Sequence, residues 1–112
     1  MSTTNIDAVL EQVPGTDTTA YTAPTTVKYS QIIFGNCTNE DAVDTTLTVN
    51  IVQSGGSVAV TNRYFPPTTI TAGTSDSLTS IVGAVLAPGD FISCVAGAAS
   101  RLNLKLGIKE VR

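Results

Sequence analysis

Alternation of apolar and polar residues is the clearest pattern along this chain. Between Asp44 and Gln53, one face carries Thr45, Leu47, Val49 and Ile51, and the other carries Thr46, Thr48 and Asn50. The segment Arg101–Lys109 repeats the pattern, with leucine and isoleucine alternating with basic and amide residues. A period of two places successive side chains on opposite faces of a strand. Both segments are therefore predicted to be β-strands with one buried and one solvated face.

Turn-forming residues divide the remaining chain into short segments. They are Pro24, Gly35-Asn36, Ser54-Gly55-Gly56-Ser57, Pro66-Pro67 and Pro88-Gly89-Asp90. These dividers predict further strands at Thr25–Phe34, Ile81–Leu86 and Phe91–Ala96. The second half of the Thr25–Phe34 strand is expected to be buried on both faces. Residues 58–62 are expected to pair with the strand at 44–53 through a tight hairpin.

Short strands with turns every eight to twelve residues predict an all-β protein. We expect an antiparallel β-sandwich or jelly roll of about eight short strands, preceded by an N-terminal arm. Residues 1–20 form the expected arm, and residues 21–112 form a single sandwich domain. The strand order does not follow from the sequence.

The arm contains four apolar residues with helical spacing, Ile6, Val9, Leu10 and Val13, and Pro14 would end such a helix. The same residues also fit an extended segment against a sheet edge. The extended form is favoured because the rest of the chain has the composition of strands.

Composition agrees with this fold class. The chain has 112 residues, of which 18 are Thr, 12 Val and 8 Ile against 7 Leu. β-Branched side chains lose rotamer freedom in helices and pack well on sheets. This length is sufficient for one domain.

Charge and hydropathy exclude two classes of partner. Only 13% of the residues are charged, and the six basic residues are scattered singly, which argues against binding to nucleic acid. The longest uncharged apolar stretch, Ile81–Pro88, is too short to cross a bilayer. The start of the sequence lacks the basic region and the apolar run of a secretion signal, so we expect synthesis and assembly in a cytosol-like compartment.

In that compartment Cys37 and Cys94 are expected to be free, buried thiols.

Candidate chemistry is sparse. The chain has no His, the commonest general base and a frequent metal ligand. Glu40, Asp41 and Asp44 lie close together but lack the spacing of a calcium loop, and a solvated acidic loop is the simpler interpretation. We therefore expect no catalytic residue, no cofactor and no metal site. Tyr64 and Phe65, before Pro66-Pro67, are a candidate aromatic patch for a partner.

Several short motifs, in their order and spacing, resemble small β-sandwich proteins of tailed-bacteriophage virions, the capsid cement or decoration proteins and some tail and fibre modules. The motifs are Tyr21-Thr22-Ala23-Pro24, Ile32-Ile33-Phe34-Gly35-Asn36, Ala72-Gly73-Thr74 and Leu86–Ile92. The resemblance covers about Val9 to Glu110. It implies a structural virion protein, not an enzyme, that assembles in the host bacterial cytoplasm.

The hypothesis that follows is a cement protein, most simply a trimer, that binds the major capsid protein across neighbouring shell subunits. Its expected partner-binding residues are Ile6, Val9, Leu10 and Val13 in the arm, with Tyr64 and Phe65 as a second patch. Two alternatives stay open. One is a tail, fibre, baseplate or head-tail adaptor component. The other is a carbohydrate-binding module, which the small number of aromatic residues disfavours.

Overall fold

The computed structural model describes residues 2–10, 12–99 and 101–112 of the chain. Within these ranges there are nine strands and one short 3-10 turn, Val60–Asn62. The strands are β1 (Thr3–Leu10), β2 (Thr18–Thr22), β3 (Tyr29–Asn39), β4 (Thr45–Val52), β5 (Arg63–Ile70), β6 (Ser75–Asp76), β7 (Val85–Leu86), β8 (Phe91–Ala96) and β9 (Leu102–Val111).

The strands form two antiparallel sheets packed face to face. One sheet has the order β1-β9-β3-β6, with β7 also paired to β3. The second sheet has the order β2-β8-β4-β5. Because most consecutive strands belong to different sheets, the chain winds around a common core in the manner of a jelly roll. The predicted all-β antiparallel sandwich is confirmed.

Strand β9 supplies the largest share of the core. Leu102, Leu104, Leu106 and Ile108 are at most 1% exposed, and they belong to the same buried core cluster as aliphatic side chains of β4 and β8 in the opposite sheet. Alternate positions of β9, Asn103 and Lys105, are exposed. The alternation seen in the sequence thus marks the inner and outer faces of this strand.

The N-terminal segment is extended, as the strand composition favours. β1 pairs with β9 along its whole length, from Thr3 opposite Val111 to Leu10 opposite Leu104. In this subunit it is therefore an edge strand of the sandwich. The division into an arm and a sandwich at residue 20 stays a prediction, since a strand that pairs within one subunit can also exchange into a neighbour.

Several local predictions are wrong. Gly35-Asn36 and Pro66-Pro67 do not separate strands, because they lie inside β3 and β5. Residues 58–62 do not form a strand, and pairing with β4 begins at Arg63 instead. The cause is Asn50, a buried residue whose amide donates to the Ala59 carbonyl at 2.7 Å and to Asn62 Oδ1 at 2.5 Å. These bonds hold the 58–62 segment over β4, so the face of β4 predicted to be solvated is covered there.

Two further corrections concern β3 and the 81–86 segment. A bulge between Ile32 and Phe34 leaves both Ile33 and Phe34 more than 40% exposed, so this part of β3 is not buried on both faces. In the 81–86 segment, only Val85–Leu86 is a strand, and a turn with Gly83 at a positive φ of 97° precedes it.

A polar cluster joins the two sheets at one end of the sandwich. The hydroxyl of Tyr21, on β2, donates to Glu110 Oε2 at 2.5 Å, and it lies 2.8 Å from the Ser30 hydroxyl. Glu110 is only 5% exposed, and its second oxygen accepts a bond from Arg112 at 3.2 Å. Burial, followed by the bond to Glu110, raises the pKa of Tyr21 to about 12. The buried carboxylate is therefore fully paired.

The substitution Tyr21→Phe is expected to destabilise the fold by about 1 to 3 kcal/mol, because it leaves Glu110 and Ser30 without their shared partner in a buried setting. Urea unfolding followed by circular dichroism measures the change. Tyr64→Phe is the matched control, since Tyr64 is 49% exposed, and it should change stability by less than about 0.5 kcal/mol. Equal effects of the two variants would contradict the role assigned to this cluster.

Candidate interaction surfaces

The six residues predicted to bind a partner lie at two opposite edges of the sandwich. Ile6, Val9, Leu10 and Val13 follow β1, at the outer edge of the first sheet. Tyr64 and Phe65 lie on β5, the edge strand of the second sheet. β1 packs near β2, whereas β5 packs near β3, so the two groups are separated by the width of the sandwich. They do not form one site.

Their exposure divides the six residues into three groups. Val13 and Phe65 are buried, at 0% and 8% exposed. Ile6 and Leu10 are half-buried and pack against the core from its edge. Val9 and Tyr64 are 52% and 49% exposed and point away from the core. Partner binding stays a prediction for all six, and in the isolated subunit Val9 and Tyr64 are the most accessible.

A polar groove of about 700 Å³ lies on the outer face of the first sheet, and sequence reasoning did not identify it. Asp41 and Arg101 form an ion pair at 3.0 Å in its lining, and the backbone N–H of Gln12 donates to Asn103 Oδ1 at 2.9 Å. Other lining residues are Val9, Asn36, Thr38, Glu40, Leu104 and Lys105. The signals in the sequence were the exposed positions of β9 and the acidic residues Glu40 and Asp41.

An exposed apolar patch lies near the other end of the same face. It consists of Ile33, Phe34, Val82 and Val85, which are 41% to 57% exposed. Phe34 lies over Gly107 of β9, where a Cβ atom would come within 3.0 Å of Phe34 Cβ. The glycine thus leaves room for the bulge that turns Phe34 outwards.

The two cysteines are free and buried, each 0% exposed. Burial, with a smaller effect from the Asp76 charge, raises the pKa of Cys37 from 9.0 to about 12. Burial, with a smaller effect from Cys37, raises the pKa of Cys94 from 9.0 to about 12. Neither thiol is placed to act as a nucleophile or to bridge to another subunit.

The described part of the chain offers little else with chemical reactivity. No three His, Cys, Asp or Glu side chains come together there in a way that could hold a metal ion. In the same residues, no helix has the length and apolar character to cross a membrane.

No protein-family model and no curated protein matches the chain. Among solved structures, the chain is similar to a subunit of Bacillus endospore appendages, described as disulfide-linked pili. The identity is 14%, the TM-score is 0.55, and the match covers 98% of this chain and 87% of the pilus chain.

Two structures of infectious bursal disease virus are also similar. The T13 particle matches with 14% identity and a TM-score of 0.55, and the Gx strain with 16% identity and a TM-score of 0.51. These matches cover 99% and 96% of this chain but only 31% and 32% of the viral chains. The chain thus spans about a third of the viral proteins' length. At these identities the likeness shows the fold, a β-sandwich of the kind found in viral capsid proteins and in a pilus subunit.

The buried thiols generate a prediction about alkaline stability. In the unfolded chain the thiols ionise near pH 9, whereas the folded protein holds both protons until about pH 12. The stabilising effect is therefore complete below pH 9 and is lost as the pH rises towards 12, by at most about 1.4 kcal/mol per pH unit for each thiol.

Urea midpoints measured between pH 8 and 10.5 under reducing conditions give the slope. The double variant Cys37→Ala, Cys94→Ala should be less stable at pH 8, because it creates cavities, but should lose stability less steeply as the pH rises. Parallel pH curves for the wild type and the double variant would contradict this account.

Proposed function

We propose that this protein is a structural subunit of a virus particle, and specifically a cement or decoration protein on the head of a tailed bacteriophage. The observation that supports it most directly is the fold likeness to a viral particle subunit over 99% of this chain. The sequence motifs that resemble phage cement proteins support the finer assignment. In this proposal the protein binds the major capsid protein and acts as a homo-oligomer, most simply a trimer.

Binding by several weak contacts suits such a role. When three linked copies each contact the shell, the second and third contacts form at high effective concentration, so total binding exceeds that of one site by roughly 10² to 10⁴. No chemical reaction is needed. We accordingly propose that the protein is not an enzyme, that it is a virion component, and that it is assembled in the host bacterial cytoplasm.

A pilus or other filament is the second candidate function. The specific observation in its favour is that the match covers 87% of the pilus subunit, far more than of the viral chains. The burial of both cysteines argues against a disulfide-linked filament, because a cysteine that links two subunits must be accessible to the next subunit. A tail, fibre, baseplate or adaptor component is a third possibility within the virion.

Copy number per particle distinguishes these proposals. Quantitative mass spectrometry of purified particles from the producing cells, normalised to the major capsid protein, should find hundreds of copies if the protein decorates the head. About six to a few tens of copies would indicate a tail component, as expected from the rotational symmetry of a tail. Absence from particles, together with recovery in surface filaments, would overturn the virion proposal.

The substitutions Val9→Ser and Tyr64→Ser should leave the fold intact, because both side chains are exposed at the proposed contact edges. When each purified variant is added to head particles that were prepared without this protein, fewer copies should bind than of the wild type. Loss of one such contact should weaken binding by about tenfold. Val43→Ser is the matched control, since Val43 is 54% exposed and lies in the loop between β3 and β4, on neither β1 nor β5. Undiminished binding by both edge variants would place the contact elsewhere.

A further inference from the structure

Four edge positions of the two sheets differ in their ability to accept another strand. β5 carries Pro66-Pro67, which have no N–H to donate. β6 and β7 are only two residues long, and β2 has five residues with an irregularity between Thr19 and Tyr21. Among the described strands, β1 is therefore the only long edge that is regular and free of proline.

The hydrogen-bond phase of β1 shows which groups are free. Ser2 and Arg112 exchange both backbone bonds, at 3.3 and 2.8 Å, so the even-numbered residues of β1 bond to β9. The N–H and C=O groups of Thr3, Asn5, Asp7 and Val9 consequently point to the open side. No backbone or side-chain hydrogen bond reaches these groups from elsewhere in the described residues.

Natural sheets usually protect such an edge with proline, lysine, a bulge or an inward-pointing charge. β1 has none of these. Its single charged residue, Asp7, is on the outer face and lies 3.8 Å from Lys105 of its own sheet. On the inner face, Ile6 and Leu10 remain half-buried at the rim of the core, where a further strand would cover them. An unprotected edge with incompletely covered apolar residues is the mark of a surface that takes a partner.

We propose that β1 pairs with β1 of a second copy of this chain, antiparallel and about a twofold axis at Ile6. In this register Ile6 lies opposite Ile6 of the second copy, Asn5 opposite Asp7, and Thr3 opposite Val9. Residues directly opposite each other share a face, so inner side chains meet inner ones. The free groups then form about eight backbone hydrogen bonds.

Charge selects this register over its neighbour. Moving the twofold axis from Ile6 to Asp7 would place Asp7 opposite Asp7 of the second copy, and like charges directly opposite destabilise a pair. Moving it to Asn5 would pair Asn5 with Asn5 and, among the described residues, would join only residues 2–8 instead of residues 2–10. In the proposed register, each Asp7 meets an Asn5 amide that can donate to it. It also approaches Lys109 of the other copy, which lies opposite Asn5 on β9. The strand is thus complementary to itself in one arrangement.

The contact goes beyond the proposed cement function and does not depend on it. A twofold contact uses one edge of each subunit, so in a trimeric assembly it joins neighbouring trimers. It joins two monomers if the protein forms no trimer.

Proline substitution tests the contact. Asn5→Pro removes an N–H that points only to the open edge, so the bonds to β9 are kept. We expect the variant to keep its far-ultraviolet circular dichroism and, at concentrations where both proteins are monomeric, its urea midpoint. Its self-association should weaken at least about tenfold, so that light scattering over a dilution series shows the assembly dissociating at a concentration at least about tenfold higher than that of the wild type. Asn5→Ala, which retains the N–H, is the control and should keep most of the assembly.

Cross-linking tests the register independently. Residues at the twofold form a non-hydrogen-bonded pair with Cα atoms about 4.5 Å apart, within the range of a disulfide. Ile6→Cys with oxidised glutathione should give a covalent dimer on a non-reducing gel, whereas the wild type should not, because Cys37 and Cys94 are buried. Strong cross-linking of Asp7→Cys but not Ile6→Cys would overturn the register. A monomeric wild type, or an assembly unaffected by Asn5→Pro, would overturn the contact itself.

Discussion

The alternation of side chains along β9 is the constraint on which the rest of this structure depends. The strand pairs with β1 on one side and β3 on the other, so a slip of one residue would move its leucines to solvent and disturb both partners. The same phase places Glu110 on the inner face. A carboxylate in that position is tolerable because Tyr21 from the opposite sheet donates to it. Register, core and the polar cluster between the sheets therefore have one origin.

Prediction from sequence succeeded where a strand has a strict period and clear ends. β8 and β9 were located almost to the residue because Pro88-Gly89-Asp90 and the alternating leucines define them. Gly89 adopts a φ of 88° at this turn, as its position there requires. The order of the strands could not be predicted, because pairing between distant segments such as β1 and β9 leaves no local signal.

The errors arose where tertiary contacts replace local pattern. Asn50 looked like a solvent-facing residue of an alternating strand, yet its amide organises the loop that covers it. Ile33 and Phe34 looked buried because both are apolar, and the bulge opposite Gly107 turned them outwards. The candidate partner residues show the same limit. Val9 and Val13 were both selected because they are apolar. Their exposures are 52% and 0%, because Val9 points to solvent whereas Val13 packs in the core.

The low content of charged residues limits the ways in which this protein can associate. With 13% charged residues, the chain has few of the side chains that usually protect sheet edges or steer partners over a distance. Backbone groups are then the main source of directional contacts, and they carry no sequence specificity themselves. Specificity must come from the few side chains that fix the register. In β1 that requirement is met by one carboxylate, Asp7, placed one step from the central Ile6. A single charge is sufficient there because every incorrect register either repeats it opposite itself or shortens the ladder.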